Sequence, residues 1–128
     1  MDEEKADSSS PTTLVFGASE NSMRYSWLAV NKLKSKNIPV VAVGLKSGMI
    51  GDTEILTTLP EGKDIDTITL YVGPARLRPV FTNLLALKPR RIIFNPGTED
   101  PELINLAAAK GIHTEIACTL VMLSTGVY

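Results

Sequence analysis

The residues best suited to chemistry in this sequence form a short polar segment that directly follows an apolar run. Gly17 and Ala18 are small enough to let a ligand approach the backbone closely. Ser19, Asn21 and Ser22 can donate hydrogen bonds or cap a helix. Where such a segment joins a strand to a helix, free backbone N–H groups meet the positive end of the helix. The pattern is typical of a phosphate site, and also of an ordinary strand-to-helix turn.

A lysine follows the second apolar run, at the position where dinucleotide-binding sites recognise the adenosine ribose. An NAD site places an acidic residue at the end of the second strand, to bind the ribose hydroxyls. This chain has Lys46 there. A lysine disfavours NAD and favours a phosphate on the adenosine ribose, as in NADP or coenzyme A. Arg24 and Arg76 are further candidates for neutralising a pyrophosphate, and all three cations have solvated surface positions as the alternative interpretation.

No pattern predicts a catalytic or metal site. His113 is the only histidine and Cys118 the only cysteine, so neither belongs to a metal-ligand cluster or a Cys/His pair. We interpret His113 as structural and Cys118 as a small buried side chain. The carboxylates are scattered, with no pair spaced for acid/base work. The prediction is therefore ligand binding without catalysis by this chain alone.

Length and composition favour one globular domain in the cytoplasm. A chain of 128 residues with 44% hydrophobic and 5% aromatic residues can build a single aliphatic core. A formal net charge of -1 argues against nucleic-acid or anionic-membrane binding by the whole molecule. Residues 1–12 are acidic and Ser-rich and are predicted to be a disordered tail, which leaves 13–128 as the domain.

Short apolar runs alternate with segments of helical period, which predicts βα units and an α/β fold. The predicted strands are residues 13–16, 39–43, 67–72, 91–94 and 112–117. The predicted helices are residues 24–36, 74–88, 101–110, capped by Asp100, and 118–128. Residues 44–66 lack a strong period, and we expect a short extended piece and one helical turn within 54–59. The fold expected is a three-layer Rossmann-like domain with a parallel five-stranded sheet in the order 3-2-1-4-5.

Such a sheet binds ligands outside the carboxyl ends of its strands, where the chain reverses direction. Val72, Gly73 and Pro74 follow the third predicted strand, and Asn95 and Gly97 follow the fourth. We expect both segments to form one wall of a ligand cleft and the polar segment after the first strand to form the other.

Residues 17–26, GASENSMRYS, resemble the first loop of the small CoA-binding domain proteins, which usually reads Gly-x-Ser-x-Asn-x-x-Arg-x-Ser. The resemblance extends from Thr13 to about Cys118 and includes Gly51, Leu59-Pro60 and Pro74. These proteins are similar to the coenzyme A-binding domain of the succinyl-CoA synthetase α subunit. The resemblance implies a Rossmann-like module that binds coenzyme A or an acyl-CoA. The chain departs from the family's Asn-Pro-Lys after the second strand and from its usual loop after the fourth.

Carried over by position, the resemblance places Ser19, Asn21, Arg24 and Ser26 around phosphate and Lys46 at the adenosine end. The full set of predicted cofactor-binding residues is Gly17, Ala18, Ser19, Asn21, Arg24, Ser26, Lys46, Val72, Gly73, Pro74, Asn95 and Gly97. Two alternatives stay open, namely an NADP-dependent or other nucleotide-dependent enzyme, and an interaction protein that has lost its ligand. A homodimer through the helix face of Trp27 and Leu28 is a further candidate.

Overall fold

The computed structural model describes residues 11–128, so most of the predicted tail, 1–10, lies outside the described residues. Seven strands lie within this range: β1 (Thr13–Phe16), β2 (Val40–Val43), β3 (Gly48–Ile50), β4 (Thr53–Leu56), β5 (Thr67–Leu70), β6 (Arg91–Phe94) and β7 (His113–Ile116). The helices of the same range are α1 (Tyr25–Ser35), α2 (Pro74–Leu77), α3 (Phe81–Leu85), α4 (Pro101–Ala109) and α5 (Thr119–Thr125), with a 3₁₀ turn (Arg78–Val80) between α2 and α3.

All described strands belong to one sheet in the order β3-β4-β2-β1-β5-β6-β7. Neighbouring strands are parallel except β3 and β4, which form an antiparallel edge hairpin. The Rossmann-like α/β fold is therefore confirmed, but the predicted five strands in the order 3-2-1-4-5 are wrong. β4 pairs parallel to β2, with Ala42 opposite Ile55, while β5 pairs with the other side of β1, with Thr13 opposite Thr67. The order 3-2-1-4-5-6 appears only when β4 is counted as the third parallel strand.

The hairpin of β3 and β4 replaces the irregular segment expected in this region. Its two-residue turn is Gly51-Asp52, and Gly51 adopts φ +60°, a conformation that glycine reaches without strain. Ile50 of β3 and Ile55 of β4 are buried on the face of the sheet that α1 covers. The extended piece expected within residues 54–59 is thus a full sheet strand, and the expected helical turn is absent from residues 44–66.

The helical segments follow their local signals. Asp100 caps α4 by accepting a hydrogen bond from the Glu102 N–H at 3.1 Å, with Pro101 in the first turn, as predicted. The predicted helix after β5 is divided into α2, the 3₁₀ turn and α3, because Pro79 in its middle lacks an N–H donor. No helix among residues 11–128 is long and apolar enough to cross a membrane.

Helices cover both faces of the sheet, which makes three layers. On one face, Leu14, Ile68 and Ile92 of the sheet pack in one cluster with residues of α2, α3 and α4, namely Leu77, Phe81, Leu84 and Leu103. On the other face, Val15, Ala42 and Ile55 form a cluster with residues of α1 and α5, namely Val30, Leu33 and Leu123. The central strands are thus fixed from both sides, and the loops at their carboxyl ends stand on a rigid base.

Candidate functional site

The chain reverses its direction across the sheet at β1, and this point defines the candidate site. From β1 the chain moves to β2 and the hairpin on one side, and it then returns to β5 on the other side. The loops after β1, β2 and β5 therefore meet at the carboxyl ends of three neighbouring strands. This is the position at which open α/β sheets bind ligands.

Gly17 brings the first loop (residues 17–24) against the end of β5. It adopts φ +102°, and a Cβ atom there would lie 2.9 Å from Val72 Cγ1 and 3.1 Å from the Tyr71 carbonyl carbon. The Gly17 N–H also donates to the Val43 carbonyl oxygen at 2.8 Å. Both the backbone conformation and the available space therefore require glycine at this position.

Gly44 brings the second loop (residues 44–47) against the first. A Cβ atom at Gly44 would lie 2.2 Å from the Ala18 carbonyl oxygen, far inside van der Waals contact. The Gly44 N–H donates to the Leu56 carbonyl oxygen at 2.8 Å, which joins the loop to β4. The two glycines close the loops onto one another and leave the side chains that follow them to surround the space above.

The polar side chains of the first loop shape its own backbone. Ser19 Oγ accepts a hydrogen bond from the Asn21 N–H at 3.0 Å, and Asn21 Oδ1 accepts one from the Met23 N–H at 2.9 Å. Arg24 is the N-cap residue of α1 and makes no side-chain capping hydrogen bond.

Glu20 connects the first loop to the edge hairpin. Its carboxylate accepts a hydrogen bond from the Met49 N–H at 2.7 Å, and it occupies the space above Gly48. A backbone donor thus offsets part of the negative charge that Glu20 carries into the site.

Two adjoining cavities open above these loops. The polar cavity, of about 310 Å³, is lined by Gly17, Ala18, Ser19, Glu20, Arg24, Leu45, Lys46, Ser47 and Arg76. The apolar cavity, of about 250 Å³, is lined by Phe16, Gly17, Val43, Gly44, Leu45, Thr57, Leu59, Val72, Arg76, Val80 and Asn83. Because Gly17, Leu45 and Arg76 line both, the two cavities form one continuous site.

The basic side chains of the polar cavity have no carboxylate partner within residues 11–128. Arg24, Lys46 and Arg76 form no ion pair with any described residue. By contrast, Arg78 binds Asp100 through two hydrogen bonds of 2.7 and 2.9 Å, and this guanidinium lowers the pKa of the Asp100 carboxyl. The polar cavity therefore presents positive charge to an incoming anion.

The structure brings half of the predicted binding residues to the cavities. Gly17, Ala18, Ser19, Arg24 and Lys46 line the polar cavity, and Val72 lines the apolar one. The remaining predicted residues line neither: Asn21, Ser26, Gly73, Pro74, Asn95 and Gly97. Ser26 is buried in the first turn of α1, and Gly73 and Pro74 begin α2.

Asn95 is placed inside the fold instead of on the cleft wall. Its Nδ2 donates to Thr69 Oγ1 at 2.6 Å and to the Leu70 carbonyl oxygen at 2.8 Å. Its Oδ1 accepts from the Thr119 N–H at 2.8 Å. This buried amide connects β5, β6 and the start of α5, so its polar atoms are already used.

Sequence reasoning missed much of the apolar cavity. Arg76, a candidate for binding a pyrophosphate, does line both cavities, whereas Val80 and Asn83 were not expected there. The three residues are spaced i, i+4, i+7, which is the spacing of a shared helix face. Thr57 and Leu59 line the cavity from the segment directly after β4, which the sequence predicted only as a short extended piece. His113 and Cys118 line neither cavity. Among the described residues, no group of three or more His, Cys, Asp or Glu side chains could hold a metal ion.

The fold and the site define a Rossmann-like domain with a cleft at its chain reversal. The chain belongs to the CoA-binding domain family, because the family model described as "CoA binding domain" matches residues 11–124. No curated protein matches the chain.

Solved structures resemble the chain over most of its length. A crystal structure of an uncharacterized protein is 40% identical, with a TM-score of 0.89, and the match covers 94% of this chain and 99% of that one. The structure of cell-free ID.343 from Thermus thermophilus is 20% identical, with a TM-score of 0.82, covering 99% of this chain and 98% of that one. A conserved hypothetical protein from Pyrococcus furiosus is 23% identical, with a TM-score of 0.71, covering 82% and 91%. The last two likenesses show the fold alone.

Proposed function

We propose that the chain binds coenzyme A or an acyl-CoA, with the nucleotide end of the ligand in the two adjoining cavities. The observation that carries the proposal is the convergence of Arg24, Lys46 and Arg76 on one polar cavity without a carboxylate partner among the described residues. Three basic side chains and one acidic side chain, Glu20, leave an excess of positive charge in this cavity, and a ligand with several phosphates would neutralise it.

The residues present fit the chemistry of the nucleotide. The phosphates of coenzyme A accept hydrogen bonds, and the polar cavity offers two guanidinium groups, one ammonium group and the hydroxyls of Ser19 and Ser47. The faces of the adenine ring are flat and apolar, and Phe16, Val43 and Val72 line the apolar cavity that would receive it. The shared position of Arg76 matches the junction between base and phosphates, because guanidinium both stacks on rings and pairs with phosphate.

Lys46 is proposed to meet the 3′-phosphate on the adenosine ribose. It lies in the second loop, after β2, where NAD sites instead hold an acidic residue. The change Lys46→Gln is therefore expected to weaken coenzyme A more than dephospho-coenzyme A, which lacks this phosphate. Lys36, exposed at the far end of α1, supplies the matched control Lys36→Gln.

Calorimetric titration with coenzyme A and dephospho-coenzyme A tests the proposal. Binding of coenzyme A, with weaker binding of the dephospho form, is the expected result. If neither compound binds at millimolar concentration, the proposed function is wrong. Native mass spectrometry of the purified protein gives an independent readout, because a retained ligand adds its mass to the chain.

NADP is the second candidate ligand, because Lys46 could equally pair with a 2′-phosphate. Competition titrations separate the two. If NADP displaces coenzyme A and binds more tightly, the nucleotide site is kept but its ligand is reassigned to a nicotinamide dinucleotide.

A further inference from the structure

Glu20 is an acidic side chain in an otherwise basic cavity, and the fold holds its carboxylate in a defined position. It lines the polar cavity beside the three basic side chains, yet it forms no ion pair with any residue that the structure describes. Its Oε2 instead accepts a hydrogen bond of 2.7 Å from the Met49 N–H on β3. The carboxylate is therefore bound by the backbone of the edge hairpin and not by the cations beside it.

The backbone of β3 makes room for this contact at Gly48. A Cβ atom at Gly48 would lie 2.3 Å from Glu20 Cδ, 2.5 Å from Oε2 and 2.6 Å from Cγ, and these are the three heavy atoms nearest to it. Gly48 is not among the glycines with positive φ. The space that Glu20 occupies, and not the backbone conformation, is therefore what favours glycine at this position.

The hydrogen bond of Glu20 joins the two loops of the site a second time. Gly44 packs against Ala18 where the first and second loops begin. Glu20 then joins the first loop to β3, the strand that directly follows the second loop. Between these two contacts lie Ser19 on one side and residues 45–47 on the other, which all line the polar cavity. No other side chain of the first loop forms a hydrogen bond to a described residue outside that loop.

We propose that Glu20 is a positioning residue for the ligand of the polar cavity, because its carboxylate holds the first loop at the spacing that lets Arg24 and Lys46 act on the same phosphates. This inference rests on the proposed function. The carboxylate also has an effect of opposite sign, since a negative charge in the cavity repels the phosphates. The Met49 N–H limits this repulsion by keeping the carboxylate from pairing with Arg24 or Lys46, so both cations stay available to the ligand.

Two substitutions of Glu20 separate its hydrogen bond from its charge. Glu20→Ala removes both, and coenzyme A should bind about fivefold more weakly, because the first loop is no longer held in its binding position. Glu20→Gln keeps an oxygen that accepts from the Met49 N–H but removes the charge. Coenzyme A should therefore bind to Glu20→Gln about twofold more tightly than to the unaltered chain, and this gain should shrink as the salt concentration rises.

Gly48→Ala displaces the carboxylate without altering Glu20 itself. The atoms that the new methyl group meets first belong to the end of a flexible side chain, so the fold should accommodate it by turning Glu20 away. The displaced carboxylate keeps its charge and can pair with Arg24 or Lys46. The loss of coenzyme A affinity should therefore be at least as large as in Glu20→Ala. Added to Glu20→Ala, Gly48→Ala should cause no further loss, because both changes remove the same contact.

Glu99 supplies the matched control for both Glu20 variants. It is also an exposed glutamate whose carboxylate accepts a backbone hydrogen bond, from the Gly97 N–H at 2.8 Å, and it lines neither cavity. Glu99→Ala and Glu99→Gln should bind coenzyme A like the unaltered chain. The affinities are measured by calorimetric titration with coenzyme A, and thermal unfolding of each variant checks that it is folded.

Opposite changes of affinity in Glu20→Ala and Glu20→Gln, absent from the Glu99 variants, would support the positioning role. Tighter binding in both Glu20 variants would reduce Glu20 to a repelling charge, and unchanged binding in both would make it a spectator. Either result, or a further loss when Gly48→Ala is added to Glu20→Ala, overturns the inference while coenzyme A binding stands. If the unaltered chain does not bind coenzyme A, the proposed function itself fails. Hydrogen exchange of the Met49 N–H, faster in Glu20→Ala than in Glu20→Gln, then still tests the contact without a ligand.

Discussion

At the amino ends of the strands, arginines are used to hold the fold, whereas at the carboxyl ends the basic side chains of the polar cavity lack partners among the described residues. Arg90 binds Asp66 through two hydrogen bonds of 2.9 and 3.0 Å. Arg91 lies 3.4 Å from Glu115 and stacks over an aromatic ring. The comparison shows that a carboxylate nearby decides whether an arginine is paired within the fold, and the proposed function assigns the unpaired ones to a ligand.

The contrast is sharpest within a single turn of chain. Arg76 and Arg78 are two residues apart, yet Arg78 is paired with Asp100 and Glu102 while Arg76 lines both cavities. The sequence does not distinguish these two arginines, because both lie in the same short segment after β5. Their different tasks follow from the face of the helical segment on which each lies.

Removing the three basic side chains of the polar cavity together should have the largest effect on binding. Changing Arg24, Lys46 and Arg76 to Gln should lower the affinity for coenzyme A by at least about a hundredfold, because several charge-assisted hydrogen bonds are lost at once. Thermal unfolding should change little, since none of the three forms a described ion pair. A variant that keeps most of its calorimetric affinity would show that these cations are ordinary surface groups.

A side chain at Gly44 that pushes the first and second loops apart should have the next largest effect, on both stability and binding. Gly44→Ala forces a Cβ to within 2.2 Å of the Ala18 carbonyl oxygen. We expect the free energy of unfolding to fall by about 1–3 kcal/mol, as in other overpacked sites, together with weaker coenzyme A binding. Denaturant titration measures the first quantity. Gly73→Ala is the control, because its Cβ would meet only the Gly97 carbonyl oxygen at 3.9 Å, and it should behave like the unaltered chain.

Single substitutions of Arg76 and Arg78 should have opposite effects on ligand affinity and on stability. Arg76→Gln should weaken coenzyme A by about tenfold and leave the unfolding transition in place. Arg78→Gln should do the reverse, since it breaks the ion pair with Asp100 and lines neither cavity. Calorimetry and thermal denaturation on both variants give four measurements. Similar losses of affinity in the two variants would contradict the division of tasks.

The ion pairs of Asp66 and Asp100 should make thermal stability depend on pH, and this effect should be smaller than the preceding ones. Arg90 lowers the pKa of Asp66, and Arg78 lowers that of Asp100, relative to the ordinary value of 3.8. Because both values are lowered on folding, the stabilisation is complete above pH 3.8 and is lost as the pH falls through the lowered pKa values. The melting temperature should thus decline more steeply below about pH 4 than in the double variant Asp66→Asn with Asp100→Asn. Parallel curves for the two proteins would remove these pairs as the cause.

Local signals in the sequence were enough to find most elements but not their arrangement. β1 and β6 match the predicted ranges, and the Asp100 cap was found from a single residue followed by proline. The order failed because β4 was expected only as a short extended piece and was not counted as a strand of the sheet. Its signal was present in Gly51-Asp52, a two-residue hairpin turn between extended segments.

The candidate site divides in the same way. Residues of the first loop could be found because a strand, a glycine and a helix follow in direct succession. Thr57 and Leu59 could not, since they approach the cavity only through the path of the chain from β4 across to β5. Asn95 shows the opposite error, because a polar residue at the correct edge of the sheet turns its amide into the interior. Which side a loop side chain faces is decided by tertiary packing.

The edge hairpin has a consequence for protein engineering. The hairpin ends in a two-residue turn and pairs with β2 on one side, and the Glu20 carboxylate accepts a hydrogen bond from its Met49 N–H. Lys34 of α1 bonds Asp52 and Thr53, and Ile50 and Ile55 are buried in the cluster that α1 covers. A hairpin exchanged for this one would have to keep these contacts. Hairpins of other lengths or compositions, grafted between Ser47 and Thr57, would change the support of these two cavity-lining residues while the first loop stays in place.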